Sequence, residues 1–206
     1  MDKKITHQDF TAKAYLRALK KNGIEYVFAN AGTDFAPIIE ALVDSERTGD
    51  DIPRFVTVPH ENVAVSMAHG LHRVTGKPSA VMVHVNVGTA NALCSLMNAS
   101  RDGIPLLLAA GRTPLTELNN LGSRNGGIHW GQENFDQGGM LREYVKWDFE
   151  LRERQPVDLI VGRAIDIAMS EPRGPVYLSL PREVLGSPTP PQVDIRQLKG
   201  AIVVDG

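Results

Sequence analysis

Short apolar runs alternate with stretches of helical period along most of this chain, and that alternation constrains its fold more than any other feature. Runs that read as strands lie at Ile24 to Ala29, Arg54 to Val58, Ser79 to Val85, Pro105 to Ala110, Tyr144 to Trp147 and Pro175 to Leu180. Between them, apolar residues recur at helical spacing from about Thr6 to Lys21, Asp34 to Val43, Glu61 to Val74, Thr89 to Ser100 and Pro156 to Ser170. Asn22-Gly23 supplies a stop signal, and Pro37 falls where a first helical turn tolerates it. Strands that are separated by helices run parallel, because each helix carries the chain back across the sheet. The expected fold is α/β, a three-layer doubly wound parallel sheet of about six strands with helices on both faces. With 206 residues, 42% of them hydrophobic, the chain can bury one sizeable core.

Charge and hydropathy exclude several function classes. A formal net charge of −2 without a basic run argues against nucleic acid and against an anionic membrane as partner, leaving a small molecule or a protein. The longest apolar run, Leu106 to Ala110, is far too short to span a bilayer, and Met1-Asp-Lys-Lys leads into polar sequence, so the chain reads as soluble and cytoplasmic. The single cysteine, Cys94, has no internal disulfide partner and sits in a pattern that suits packing on a buried helix face. Two stretches break the alternation. Gly111 to Gly139 is too long and glycine-rich for a plain connection and reads as a functional loop over the strand ends. Ser187-Pro-Thr-Pro-Pro has the composition of an interdomain linker, and Gln192 to Gly206 cannot bury a core of its own.

Several common motifs are missing. No G-x-G-x-x-G follows a strand, and no G-x-S-x-G elbow occurs. Gly76-Lys77 is followed by Pro78 where a phosphate loop needs Ser or Thr. His69 and His72 lack a third ligand of the zinc-site kind and read as surface histidines, so no metal site is assigned to this chain. What remains is a set of polar segments just after expected strands: Asn30-Ala-Gly-Thr-Asp, Pro59-His-Glu-Asn, His84-Val-Asn-Val-Gly-Thr-Ala-Asn and Gly111-Arg-Thr-Pro. In a parallel sheet these ends open on one edge, where ligands are held. Glu61 is conspicuous there as a lone carboxylate between an apolar strand and a helix.

The combination resembles the N-terminal, pyrimidine-binding domain of thiamine diphosphate enzymes of the acetolactate synthase and benzoylformate decarboxylase type. Phe28-Ala-Asn-Ala-Gly-Thr-Asp is similar to the family's G-N-P-G-[ST]-x-E turn, His60-Glu61 to its His-Glu, and Val87-Gly-Thr-Ala-Asn to its P-G-x-x-N. Asp102 to Pro114, Gly131-Gln-Glu-Asn-Phe-Asp and Arg173 to Val184 resemble later segments of that domain, so the likeness covers roughly residues 8 to 186, in order. It implies that Glu61 hydrogen-bonds N1′ of the cofactor pyrimidine, favouring the imino tautomer whose nitrogen takes the thiazolium C2 proton. Taken locally, Glu61 would merely complement a helix dipole. His84 stands where some decarboxylases of the family carry an active-site histidine, and its other reading is a strand-end hydrogen bond. Gln132 is similar to the Gln of the acetolactate synthase F-Q-E, and its other reading is a solvated loop amide. Asn30, Ala31 and Gly32 would line the pyrimidine pocket; Ala31 replaces the family's Pro, and the position of Asp34 also departs from the pattern, leaving contacts near Thr33 and Asp34 open. Gly88, Thr89 and Asn91 would form the turn and helix start beside the cofactor, or simply cap that helix.

The family binds the diphosphate and its Mg2+ through a second domain marked by Gly-Asp-Gly, a motif this sequence lacks. The resemblance therefore implies residues 1–186 as a pyrimidine-binding domain and residues 187–206 as a linker and the start of a central domain. The diphosphate-binding domain would come from the same or another chain, in a homodimer or homotetramer. The implied activity is decarboxylation or carboligation of a 2-oxo acid, with Glu61, His84 and Gln132 as the reactive groups. Two alternatives stand beside it: the small subunit of a split enzyme resembling sulfopyruvate decarboxylase, and a non-catalytic α/β binding module.

Overall fold

The computed structural model describes residues 9–190. Helix α1 (Thr11–Lys21) precedes strand β1 (Tyr26–Ala29), a short 3-10 turn at Thr33–Phe35 and α2 (Ala36–Thr48). Then come β2 (Arg54–Thr57), α3 (Glu61–Thr75), β3 (Ser79–Val83), α4 (Val85–Arg101) and β4 (Leu106–Arg112). The remainder holds α5 (Ile128–Gly131), β5 (Asp148–Glu150), α6 (Val157–Met169), β6 (Val176–Pro181) and α7 (Arg182–Leu185). All strand pairs are parallel, in a six-stranded sheet of order β2-β1-β3-β4-β6-β5.

The central strands are buried on both faces, which is why they read as continuous apolar runs rather than alternating ones. Ala80, Met82, Leu107, Ala109 and Leu178 face α1, α2 and α6, while Val81, Val83, Leu106, Leu108 and Tyr177 face α3 and α4. The result is the expected three-layer α/β sandwich. Glycine closes two of its helices in the left-handed conformation that side chains avoid: Gly49 after α2 (φ 74) and Gly76 after α3 (φ 70).

Local differences from the sequence-based expectation have physical causes. The helix expected from Thr89 begins at Val85, and β3 ends at Val83. The two valines at 85 and 87 favour a strand, but the Gly88 N–H already bonds the His84 carbonyl at 2.7 Å and winds the segment into a helix. The last edge strand is Asp148–Glu150 rather than Tyr144 to Trp147. Trp147, Phe149 and Leu151 turn alternately to one core, whereas Tyr144 and Val145 pack on the other. Cys94 is exposed, not packed, because Ala92, Ser95, Leu96 and Ala99 occupy the inward stripe of α4. His72 is buried, contrary to its surface reading: it shares the inward face of α3 with Ala64 and Ala68, and its Nδ1 lies 2.9 Å from the Lys77 carbonyl.

Ser187 to Thr189 does not run free from the domain. The Thr11 amide donates to the Ser187 carbonyl at 2.9 Å and the Thr189 amide to the Asp9 carbonyl at 2.8 Å. Expectations for the first turn at Thr6 and for Pro191 to Gly206 lie outside the described residues. No helix among the described residues is long and apolar enough to cross a membrane.

Leu178 is fully buried in β6, in register with Ala109 of β4 and Phe149 of β5. Leu178→Ala is expected to cost about 2–5 kcal/mol, read as a lower urea midpoint with an unchanged slope.

Candidate functional site

Sheet order reverses between β1 and β3: the chain goes from β1 outward to β2, then returns to the other side of β1 for β3. At such a reversal the following loops diverge to opposite faces and leave a crevice at the carboxyl ends of the strands. Asn30, which follows β1, Glu61, which opens α3 after β2, and His84, which follows β3, all stand there.

Glu61 is only 8% exposed, and both of its oxygens are held. The Asn30 carboxamide donates to Oε1 at 2.9 Å and the Asn91 carboxamide to Oε2 at 2.5 Å. A carboxylate accepts but does not donate, so both amides present nitrogen to it. Glu61 also lies in the first turn of α3, where the helix dipole favours a negative charge. A side chain at Gly88 would place Cβ 3.3 Å from Glu61 Oε1 and 3.0 Å from Val83 Cβ. Its absence lets α4 pack closely against β3 beside the carboxylate.

A second cluster surrounds His84. Its Nδ1 lies 2.5 Å from Asp34 Oδ1, and its Nε2 lies 3.1 Å from Gln132 Nε2. Asp34 is 3% exposed, and its other oxygen accepts the Val85 amide at 3.2 Å. Val85 meets it with φ 33, a left-handed conformation that is strained for a β-branched residue. Two glycines make room: a Cβ on Gly32 would fall 2.0 Å from His84 Nδ1, and one on Gly111 would fall 1.7 Å from Asp34 Oδ2. The hydrogen bond to Asp34 raises the His84 pKa above its usual value, against the opposing effect of burial, and the charges of Asp34 and Glu61 add to the rise.

The segment Gly111 to Gly139 is pinned across the strand ends. Glu183 accepts the amides of Leu115 and Thr116, Thr113 Oγ1 donates to the His129 carbonyl at 2.6 Å, and Gln137 Nε2 donates to the Gly111 carbonyl at 2.9 Å. These anchors carry Gln132 to His84 and Asn134 to Asn86, whose amide it meets at 2.8 Å.

Of the residues singled out by sequence, Asn30, Glu61, Gly88 and Asn91 form one cluster, and Gly32, His84 and Gln132 the other. Ala31 is exposed at the rim. Thr89 is fully buried with its hydroxyl turned inward, donating to the Val85 carbonyl at 2.7 Å and lying 3.1 Å from Tyr177 Oη, so it supports α4 rather than facing the crevice. Sequence reasoning did not give Asp34 or Gly111 a role. The available signal for Asp34 was an acid two residues past Gly32, at the same sheet edge as His84. Farther along, Arg112, Gln137, Asp148, Glu150 and Tyr177 line a cavity of about 300 Å³. Across it Arg112 pairs with Glu150 and Arg142 with Asp148, and it includes neither Glu61 nor His84. Among the described residues no group of three or more His, Cys, Asp or Glu could hold a metal ion.

The raised His84 pKa has a stability consequence. A group that binds its proton more tightly when folded stabilises the fold fully below its unfolded value, about pH 6.5, and loses that contribution as pH rises through the folded value. Urea unfolding of the chain and of His84→Gln across this range is expected to show the parent's advantage shrinking toward high pH.

Comparison with known proteins identifies the family of this domain. Residues 11–140 match the family described as thiamine pyrophosphate enzyme, N-terminal TPP binding domain. Benzoylformate decarboxylase of Pseudomonas aeruginosa is 31% identical over 186 residues, which is 89% of this chain and 32% of that protein. The acetolactate synthase isozyme 3 large subunit of Escherichia coli is 31% identical, over 84% of this chain and 28% of its own length. Among solved structures, the thiamine diphosphate-dependent 4-hydroxybenzoylformate decarboxylase of Rhodococcus jostii superposes with a TM-score of 0.74 at 27% identity, over 89% of this chain and 32% of that one. Benzoylformate decarboxylase from Polynucleobacter necessarius gives a TM-score of 0.74 at 26% identity, over 90% of this chain and 32% of that one. The chain spans about a third of the length of these relatives. A parallel sheet whose reversal point holds an anchored glutamate, together with a family match over most of that sheet, makes this chain a member of the thiamine pyrophosphate enzymes, corresponding to their N-terminal TPP-binding domain.

Proposed function

We propose that this chain supplies the pyrimidine side of a thiamine diphosphate site that decarboxylates or ligates 2-oxo acids. The observation that carries the reading is Glu61: a buried carboxylate at the sheet's reversal point, with each oxygen fixed by a carboxamide. Two amide donors hold its plane, and accepting lone pairs remain for a ring nitrogen that carries a proton. The residues fit a flat heterocycle: Gly88 lets α4 pack close against Val83 and Glu61, so no Cβ crowds the carboxylate, and the Asn30-Ala31-Gly32 turn offers backbone alongside. When bound, thiamine diphosphate supplies the electron sink that this class of reaction needs. Glu61 would hold or share a proton with pyrimidine N1′.

His84 and Gln132 form the polar wall of the substrate space in this proposal. A raised pKa keeps His84 able to donate a proton to a developing oxyanion or carbanion, and the Gln132 amide orients the substrate. The histidine favours the decarboxylase branch, in keeping with the benzoylformate decarboxylases among the relatives.

Residues 1–186 would form the pyrimidine-binding domain, with residues 187–206 leading toward a central domain. The diphosphate and its magnesium ion would be held by a domain in the remainder of a longer chain or in a separate subunit, within a homodimer or homotetramer. The lack of Gly-Asp-Gly and the one-third coverage of the relatives support the placing of the diphosphate site outside these residues.

Glu61→Gln in the complete enzyme is expected to lower cofactor-dependent decarboxylation by at least about 10²-fold, measured as release of carbon dioxide. Full activity in that variant would sink the assignment. Calorimetry of the 206-residue chain with thiamine diphosphate and magnesium is expected to give no tight isotherm. Strong magnesium-dependent binding would put the diphosphate site within these residues and overturn the two-domain arrangement.

A further inference from the structure

Asp34 is a buried carboxylate to which the proposed reaction assigns no task. Among the described residues its ion-pair partner is His84, with no Lys or Arg against it. We propose that Asp34 is the positioning residue for His84, holding the imidazole in its Nδ1–H form so that Nε2 alone exchanges protons, with the Gln132 amide turning over as it does. This deepens the proposed function and rests on it for the reaction served.

The hydrogen-bond inventory carries the assignment. A carboxylate only accepts, so the 2.5 Å contact from Asp34 Oδ1 requires a hydrogen on His84 Nδ1, whether the ring is neutral or charged. The neutral ring then has a bare Nε2, which accepts an N–H from Gln132 Nε2 at 3.1 Å. Once Nε2 gains a proton, two donors face each other. A half-turn of the Gln132 amide replaces its nitrogen with Oε1 at the same place and restores the bond. When Nε2 gives its proton to substrate, the N–H bond breaks as an O–H or C–H bond forms. The ring returns to neutral and Asp34 keeps its charge.

Packing points the same way. The dyad is met by the turn after β1, the end of β4, the start of α4 and the long loop, and the glycines at 32 and 111 leave it space that any Cβ would fill. Through its second oxygen Asp34 also fixes the amide of Val85, the first residue of α4, on which Gly88 and Asn91 flank Glu61. A histidine that merely closed a strand end would need none of this. The charged groups acting on His84 are Asp34 and Glu61.

The test is 15N NMR of the histidine-labelled 206-residue chain across pH, with His84→Gln to assign the signals. Neutral His84 is expected to keep its proton on Nδ1, with Nε2 showing the large titration shift. In Asp34→Asn the neutral proton is expected to move to Nε2 and the titration to fall to lower pH. In the complete enzyme the same variant should lower kcat with little change in KM, and the limb of its pH profile that reports His84 should move the same way. Wild-type His84 with its neutral proton on Nε2 would overturn the inference without requiring any variant to fold. An Asp34→Asn chain with an unchanged His84 titration would do the same. Neither NMR outcome depends on the cofactor, so both are separable from failure of the Glu61→Gln assay.

Discussion

Pairing of β1 with both β2 and β3 is the constraint on which the rest of this molecule depends. Because β1 sits between its two sequence neighbours, the chain must reverse its direction of travel across the sheet, and the loops that follow β1 and β3 part at that point. Most polar residues of the site are delivered by that parting, Asn30 and Asp34 from one side, His84 and the start of α4 from the other, and Glu61 from beyond β2, while Gln132 arrives on the loop after β4. Had the strands been antiparallel, their polar ends would have been shared between two edges.

The crevice holds two buried carboxylates, and each is made tolerable in a different way. Removing a carboxylate from water costs several kcal/mol unless hydrogen bonds replace the lost hydration. Glu61 is satisfied by neutral carboxamides, which fix its orientation without adding positive charge beside it. Asp34 is satisfied by an ionisable imidazole and a backbone amide, so its surroundings change when His84 gains or loses a proton. The first arrangement suits a group that must keep accepting from a ligand. The second suits a group that acts through its neighbour.

The legible parts of the sequence were those in which one physical signal dominated. Doubly buried strands announced themselves as unbroken apolar runs, and Asn22-Gly23 marked the end of the first helix. Signals in competition were misread. Val85 and Val87 favour a strand, yet the amide of Val85 is captured by Asp34 and the helix starts there. Cys94 and His72 lie in helices whose inward stripes, at a pitch of 3.6 residues per turn, exclude the first and include the second. Asp34 could be seen as an acid in a turn, but its partner is 50 positions away and nothing local pointed to it.

Sequence by itself determined the parallel α/β architecture, the edge at which a ligand would be held, and Glu61, Asn30, His84 and Gln132 as the groups offered there. The architecture and the edge follow from periodicity and from the order of strand ends, which are properties of the chain read one segment at a time; the roles expected of those four groups came from the resemblance to family motifs. Tertiary structure alone decided how the groups combine: Asn30 and Asn91 on Glu61, Asp34 and Gln132 on His84, and Thr89 turned away into the core. The reason is one of range. A hydrogen bond is decided within about 3 Å, and the residues that meet at this distance come from three loops and two helices whose approach is set by packing on both faces of the sheet.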